Sequence, residues 1–260
     1  MASISTYVRD YGNKTFFEEP FNEIDNVVFS SLIYLNYEGI VPENRKYIRL
    51  EEAGIKYLEK YSYFEISKLG IAQKVSYQLL KQVVNTVRYK DVLMYNFKYI
   101  ADSDRQFGAV CFKVKKSFTY VAFEGTDNLL SGWKEDFELS YKFPVPAQTL
   151  AIEYINKRVR FYDKNVMVGG HSKGGNLALV SSMFAKKLIN KKIKKIYSND
   201  GPGLRKAEIE SDNYKRVRDR LIHIVPNYSY IGVLLRNDKF KVIKSTRRDF
   251  MAHSVSTWQT

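Results

Sequence analysis

The run Val166-Met167-Val168-Gly169-Gly170-His171-Ser172-Lys173-Gly174-Gly175-Asn176-Leu177-Ala178 constrains this chain more than any other stretch, because it sets an apolar β-run, a glycine-walled turn and a helix start end to end. Strand and helix then alternate on both sides of it. After Phe123 the pattern predicts a helix around Trp133 to Tyr141, a helix from Ala147 to Tyr162, a strand Val166 to Gly169 and a helix Gly175 to Leu188. It continues with a strand Ile193 to Ser198, a charged helix near Lys206 to Arg220, and strands Leu221 to Val225 and Phe240 to Ile243. Such alternation implies an α/β fold with a mostly parallel central sheet and helices on both faces.

Upstream the period differs. Asn22 to Leu35 carries Ile24, Val27, Val28, Leu32 and Ile33 at helical spacing, and Leu50 to Tyr61 and Tyr77 to Val87 repeat the pattern. From Asp91 the period becomes that of strands, Val92 to Phe97, Ala109 to Val114 and Phe118 to Phe123, joined by polar turns. No internal repeat, low-complexity tract or Pro/Gly-rich linker interrupts the 260 residues. One domain is therefore expected, with a mainly helical N-terminal cap over 1–90 and the core over 91–260, and an apolar content of 45% is ordinary for such a core.

The single cysteine, Cys111, lies in an apolar run that reads as a buried strand and is compatible with a reducing compartment. The N-terminus lacks the apolar core of a secretory signal, and no run reaches the roughly 18 apolar residues of a membrane span. A soluble, cytoplasmic protein is the expectation. The net charge of +14 suits peripheral contact with an anionic membrane surface. Its densest part, six lysines between Lys186 and Lys195, reads as a solvated helix end. No zinc pattern, helix-turn-helix signature or aromatic RNA-binding motif is present, so specific nucleic-acid binding is not expected. Nor does any His, Cys or carboxylate cluster have metal-ligand spacing, and no metal or cofactor is expected.

Between a β-run and a helix, Gly170-His171-Ser172-Lys173-Gly174 reads as a nucleophile elbow. The serine occupies a strained turn that only small neighbours permit, and the following helix start offers the Lys173 N–H as an oxyanion donor. A serine nucleophile needs a base, and there are three histidines. His171 sits inside the elbow and faces the wrong way, and His223 lies within the strand Leu221 to Val225, where a core role is expected. His253 follows the last predicted strand, where chain order places the base. Asp200, at a strand end in Asn199-Asp200-Gly201-Pro202-Gly203, is the candidate acid. A turn-stabilising role is its plainer alternative, and Asp238 and Asp249 stand in reserve. A second oxyanion donor is expected at Thr126, after the strand ending Phe123-Glu124-Gly125, with Trp133, Glu135 and Asp136 starting a helix that braces this loop.

These motifs resemble the class 3 lipases. Their F-R-G-T/S strand end and tryptophan–aspartate helix are similar to Phe123 to Thr126 and Trp133 to Asp136, and their G-H-S-x-G-G to Gly170 to Gly175. The sequence is still more similar to the bacterial Mbeg1-like proteins, a lipase-like family. The similar stretches are Phe21 to Asn26, Gly125 to Asp127, Gly132 to Asp136, Gly170 to Ala178, Ser198 to Gly203 and His253 to Trp258. Glu124 stands where the lipases usually have arginine, and their Asp after the following strand is replaced near Ser229. Ser254 stands where the family has an Asp directly after the histidine. The resemblance implies an α/β-hydrolase fold and an acyl ester substrate, with lipid among the options. The rival expectation is a catalytically weak or inactive hydrolase-fold protein that binds anionic partners.

Overall fold

The computed structural model describes residues 3–103, 105–126 and 137–259. Of the helix expected around Trp133 to Tyr141, residues 137–141 are described, and only Phe137 and Glu138 of them are helical. Trp133, Glu135 and Asp136 therefore lie outside the described residues.

The described strands form one mixed sheet whose spatial order follows the chain: β1 (Ile48–Arg49), β2 (Leu93–Ala101), β3 (Gln106–Val114), β4 (Phe118–Phe123), β5 (Val166–His171), β6 (Ile193–Asn199), β7 (Leu221–Pro226), β8 (Lys241–Ser245) and β9 (Trp258–Gln259). The first four pair antiparallel, β4 to β8 run parallel, and β9 returns antiparallel to β8. The parallel part is the one expected. The apolar run before it became two antiparallel hairpins because its connections, such as Lys115 to Ser117, are too short for a crossover.

Two helical layers cover this sheet, and pleating sorts the strand residues between them. On one face, Val110, Phe112, Tyr120, Ala122 and Met167 pack against α1 (Ile4–Tyr11), α2 (Glu23–Leu32), α3 (Leu50–Lys60) and α5 (Ile71–Val83). On the other, Ala109, Cys111, Val121, Phe123 and Val168 pack against α6 (Pro146–Arg158) and α7 (Lys173–Met183). A short α4 (Tyr63–Ser67) links α3 and α5. The N-terminal helices thus form a full layer of the core. α2 starts where Asn22 caps it, its side chain accepting from the Ile24 and Asp25 N–H groups while Asp25 accepts from the Asn22 N–H. Asp25 also receives Arg88 at 2.6 Å and the Tyr89 hydroxyl at 2.6 Å with no exposed side-chain surface on either ion, which ties α2 to the segment leading into β2.

The charged segment Lys206 to Arg220 differs from expectation. Instead of one helix it forms two single turns, Lys206–Ile209 and Asp212–Lys215, and a 3-10 turn Arg218–Arg220. Ser211 interrupts it by capping the second turn through its hydroxyl. The helix expected to Leu188 ends at Met183, and Lys187–Asn190 is a separate turn. No helix among the described residues is long and apolar enough to cross a membrane.

Candidate active site

The carboxyl ends of β4 to β8 converge on one rim, which is where open α/β sheets place ligands. Ser172 leaves β5 at φ 57° and ψ −134°, a left-handed conformation that a non-glycine residue adopts only when its surroundings enforce it. They do so here. The Ser172 N–H donates to the Asn199 carbonyl at 2.9 Å, and its own carbonyl accepts from the Gly175 N–H at 2.9 Å. The flanking glycines leave no room for side chains, since a Cβ on Gly170 would lie 2.4 Å from the Gly174 backbone and one on Gly174 2.2 Å from the Phe123 carbonyl. β4, the turn and α7 therefore touch backbone to backbone, and Lys173 is the first residue of α7.

Asp200 follows β6 in a second left-handed position, φ 51°, pinned by its N–H to the Ile224 carbonyl at 2.7 Å. The carboxylate is fully buried. Its Oδ2 accepts from His253 Nδ1 at 2.6 Å and from the Ser229 hydroxyl at 2.7 Å, while Oδ1 has no partner among the described residues. Oδ1 instead lies against Gly232, where a Cβ would come within 2.2 Å of it. A carboxylate only accepts, so the Nδ1 proton of His253 points at Asp200 and the Nε2 lone pair is left for other work. Asp238 and Asp249, the reserve candidates, are elsewhere. Asp249 is exposed, pairs with Arg247 and caps the turn that carries His253, and Asp238 is an exposed partner of Tyr214. Sequence reasoning did not foresee Ser229 as a support for Asp200, although it marked the position as the one where an acid is replaced.

His253 ends a 3-10 turn, Phe250–His253, that closes onto the elbow. Trp258 Nε1 donates to the Ala252 carbonyl at 3.0 Å, and the Ser245 and Thr257 hydroxyls are bonded at 2.9 Å, so the turn is tied to β8 and β9. Its other anchor is His171. The His171 Nε2 is 2.9 Å from the His253 carbonyl, its Nδ1 is 2.9 Å from the Tyr34 hydroxyl, and the two imidazole rings lie with centroids 4.4 Å apart, tilted by 32°. Burial, reinforced by the neighbouring His253, holds the His171 pKa well below the ordinary imidazole value, so the ring is neutral. His223 is the core histidine expected, buried in β7 with Nε2 3.1 Å from the Gly201 carbonyl.

On the oxyanion side, the Lys173 side chain is buried and turns away from the site. Its Nζ donates to Gln106 Oε1 at 2.6 Å and to the Gln106 carbonyl at 3.1 Å, and Gln106 Nε2 donates to Glu124 Oε2 at 3.0 Å. A buried cation and a buried carboxylate thus share one amide, which accepts with one end and donates with the other. Glu124 leads directly into Gly125 and Thr126, so this bridge fixes the loop beside the elbow. Beneath it, α2 contributes a polar cluster. Asn26 exchanges amide hydrogen bonds with Asn199 at 2.8 and 3.1 Å, Ser30 accepts from Asn199 at 3.0 Å, and the Tyr120 hydroxyl donates to Asn26 at 2.6 Å. Polar residues on the inner face of an apolar helix were the available signal for Asn26 and Ser30. Nothing local marked Tyr34 or Gln106.

Ser172, Lys173, Thr126 and His253 line one pocket of about 550 Å3. Its remaining walls are mainly apolar, including Ile71, Leu139, Pro202, Ile231 and Leu235, with Phe137, Leu234 and Phe250 exposed at its edge. Asp200 stands behind His253, outside the lining. All five residues singled out from the sequence are therefore brought together at one place. No group of His, Cys and carboxylate side chains suited to holding a metal ion occurs among the described residues.

The combination of an elbow serine, a buried aspartate–histidine pair and a sheet covered on both faces is of α/β-hydrolase type. Comparison with solved structures finds the crystal structure of M37 lipase, at 13% identity and a TM-score of 0.40, covering 82% of this chain and 69% of that one. Among curated proteins no sequence matches. The Mbeg1-like family profile matches residues 83–260, the stretch that holds β2 to β9, the elbow, Asp200 and His253, and the chain accordingly belongs to the Mbeg1-like family.

Proposed function

We propose that this protein is a serine hydrolase of the carboxylic ester class, lipase- or carboxylesterase-like, that works through Ser172, His253 and Asp200. The observation that carries the reading is the 2.6 Å contact from His253 Nδ1 to the buried Asp200 carboxylate, on a pocket shared by His253 and the left-handed Ser172. With its Nδ1 proton held by Asp200, His253 presents a basic Nε2 to the pocket. It takes the Ser172 proton as the oxygen attacks the ester carbonyl carbon, and the Lys173 and Thr126 N–H groups receive the developing oxyanion. Collapse breaks the ester C–O bond, and His253 gives the proton to the departing alcohol. A water, deprotonated by His253, then attacks the acyl-enzyme and releases the acid and free Ser172. Neither step calls for a cofactor.

The apolar lining supports an acyl ester, lipid included, as substrate. The exposed Phe137, Leu234 and Phe250 at the edge, together with the net charge of +14, favour peripheral contact with an anionic membrane surface inside the cell. The test is labelling by a fluorophosphonate probe of the wild type, Ser172→Ala and His253→Ala. Labelling of the wild type alone is expected. A wild type that stays unlabelled beside a reactive control esterase refutes the hydrolase reading and favours a binding protein built on the same fold.

A further inference from the structure

His171 has no part in the chemistry just described, yet both of its ring nitrogens are committed and it touches the elbow, the N-terminal layer and the His253 turn at once. The partners dictate its protonation. A carbonyl oxygen can only accept, so Nε2 carries the proton that binds the His253 carbonyl at 2.9 Å. In a neutral ring Nδ1 is then the acceptor, and the Tyr34 hydroxyl, 2.9 Å from it and 3.3 Å from the His171 carbonyl, directs its proton to the nearer Nδ1. The ring centroid lies 4.4 Å from that of the tilted His253 imidazole, while Trp258 closes edge-on from another side at 5.8 Å.

We propose that His171 is a positioning residue, held by Tyr34 as the neutral Nε2–H tautomer so that it fixes the main chain and the ring plane of His253 against the elbow. The inference rests on the serine hydrolase reading for its catalytic consequence, though not for its structural one. Without His171, the His253 turn keeps its ties to Trp258 and Asp249 but loses the polar link that, among the described residues, runs directly from residue 253 to the strand leading into Ser172. A displacement of about 1 Å between base and nucleophile lowers turnover by on the order of a hundredfold. Apart from His253 and its turn, the apolar walls of the pocket make no contact with His171, so the loss should fall mainly on kcat and change KM little.

The experiment uses the full chain with 15N-labelled histidine, in which only three side chains report. Nitrogen chemical shifts and one-bond couplings are expected to show His171 neutral and protonated at Nε2 from mildly acidic to alkaline pH, with a far-downfield Nδ1 proton on His253. His171→Phe should fold, lose that downfield proton to exchange, and react with an ester or a fluorophosphonate about 10- to 100-fold more slowly in kcat with little change in KM. His171→Gln, which restores a donor near the Nε2 position, should recover most of both signals. An Nδ1-protonated His171, or a His171→Phe variant that folds and retains the His253 proton, overturns the proposal. So does a failure of His171→Gln to do better than His171→Phe. The resonance readouts hold even for a protein that hydrolyses nothing, so failure of the hydrolase reading is seen separately, as wild-type inertness with His171 and His253 still in the expected states.

Discussion

Replacing Asp200 by Asn probes the least accessible part of the site. The wild-type Oδ2 accepts two hydrogen bonds, from His253 and Ser229, and Oδ1 accepts none among the described residues. An asparagine must choose which position its NH2 takes. At the Oδ1 position it buries N–H groups against Gly232 with no acceptor among the described residues, a penalty of about 1–3 kcal/mol. At the Oδ2 position it donates to His253 Nδ1, which becomes the acceptor, and the imidazole proton moves to Nε2. Ser229 Oγ, which already accepts from the Ile231 and Gly232 N–H groups, loses Oδ2 as its own acceptor, but no N–H is buried against Gly232 and the link to His253 is kept, so this arrangement is the one expected. Its consequence is a base that presents a proton to Ser172 instead of a lone pair. The same change in a serine protease triad lowers kcat about 10^4-fold, so we expect a loss of roughly 10^3 to 10^4, or about 4–5.5 kcal/mol of barrier. Turnover of a chromogenic short-chain ester and the rate of fluorophosphonate labelling both report it, with thermal unfolding to verify the fold. A folded Asp200→Asn protein that reacts within tenfold of wild type would refute the assignment of Asp200.

Ser229→Ala removes a hydrogen bond to the same carboxylate without changing the histidine tautomer; a tenfold fall in kcat, far smaller than for Asp200→Asn, is expected from steady-state kinetics. Glu124→Gln removes the buried carboxylate that accepts from Gln106 Nε2, and urea unfolding should show a loss of about 1.5–3 kcal/mol, the range for a hydrogen bond to a charged group; a change below about 0.5 kcal/mol would show that the charge of Glu124 is dispensable. Stability should also fall on acidification. Burial depresses the pKa of both His171 and His223, so the unfolded chain takes up protons that the folded chain refuses. The contribution is complete above the ordinary imidazole pKa near 6.5 and is lost below it, at up to about 1.4 kcal/mol per pH unit for each histidine. Urea midpoints that stay flat from pH 7.5 to 5.5 would contradict this.

Local signals in the sequence carried the fold where they were strong. The apolar run at Val166, the glycines about Ser172 and the Asp-Gly-Pro-Gly turn after β6 each impose one backbone course, and the structure follows them. Boundaries drifted where propensity had to compete with capping, as at Ser211, or where Met183 ends a helix that composition alone would continue. Candidates for the site were legible because a chain with three histidines leaves few choices. What could not be read was which residues hold the candidates still. Tyr34 meets His171 across 137 residues, and Lys173 meets Gln106 across 67. Such pairings depend on sheet order and on which layer covers which face, and neither leaves a mark on the residues themselves. Glu124, which stands where the lipases usually have arginine, shares Gln106 with a lysine inside the elbow, a connection that no local pattern in the sequence reveals.

The amides of Asn26 and Asn199 meet across 173 residues of chain, and the carbonyl of Asn199 is what receives the Ser172 N–H. Closing so long a loop is entropically unfavourable until both layers dock, which places this contact late in folding. β5, β6 and the helix after β5 already fix the backbone of Ser172 among themselves, whereas the Asn199 side chain waits for Asn26 and Ser30 of α2. The floor beneath the elbow is therefore finished only when the two layers dock, after the turn has its shape. The segment from residue 83 onward marks kinship but leaves out α2, so by itself it would carry the elbow over an uncovered Asn199 amide.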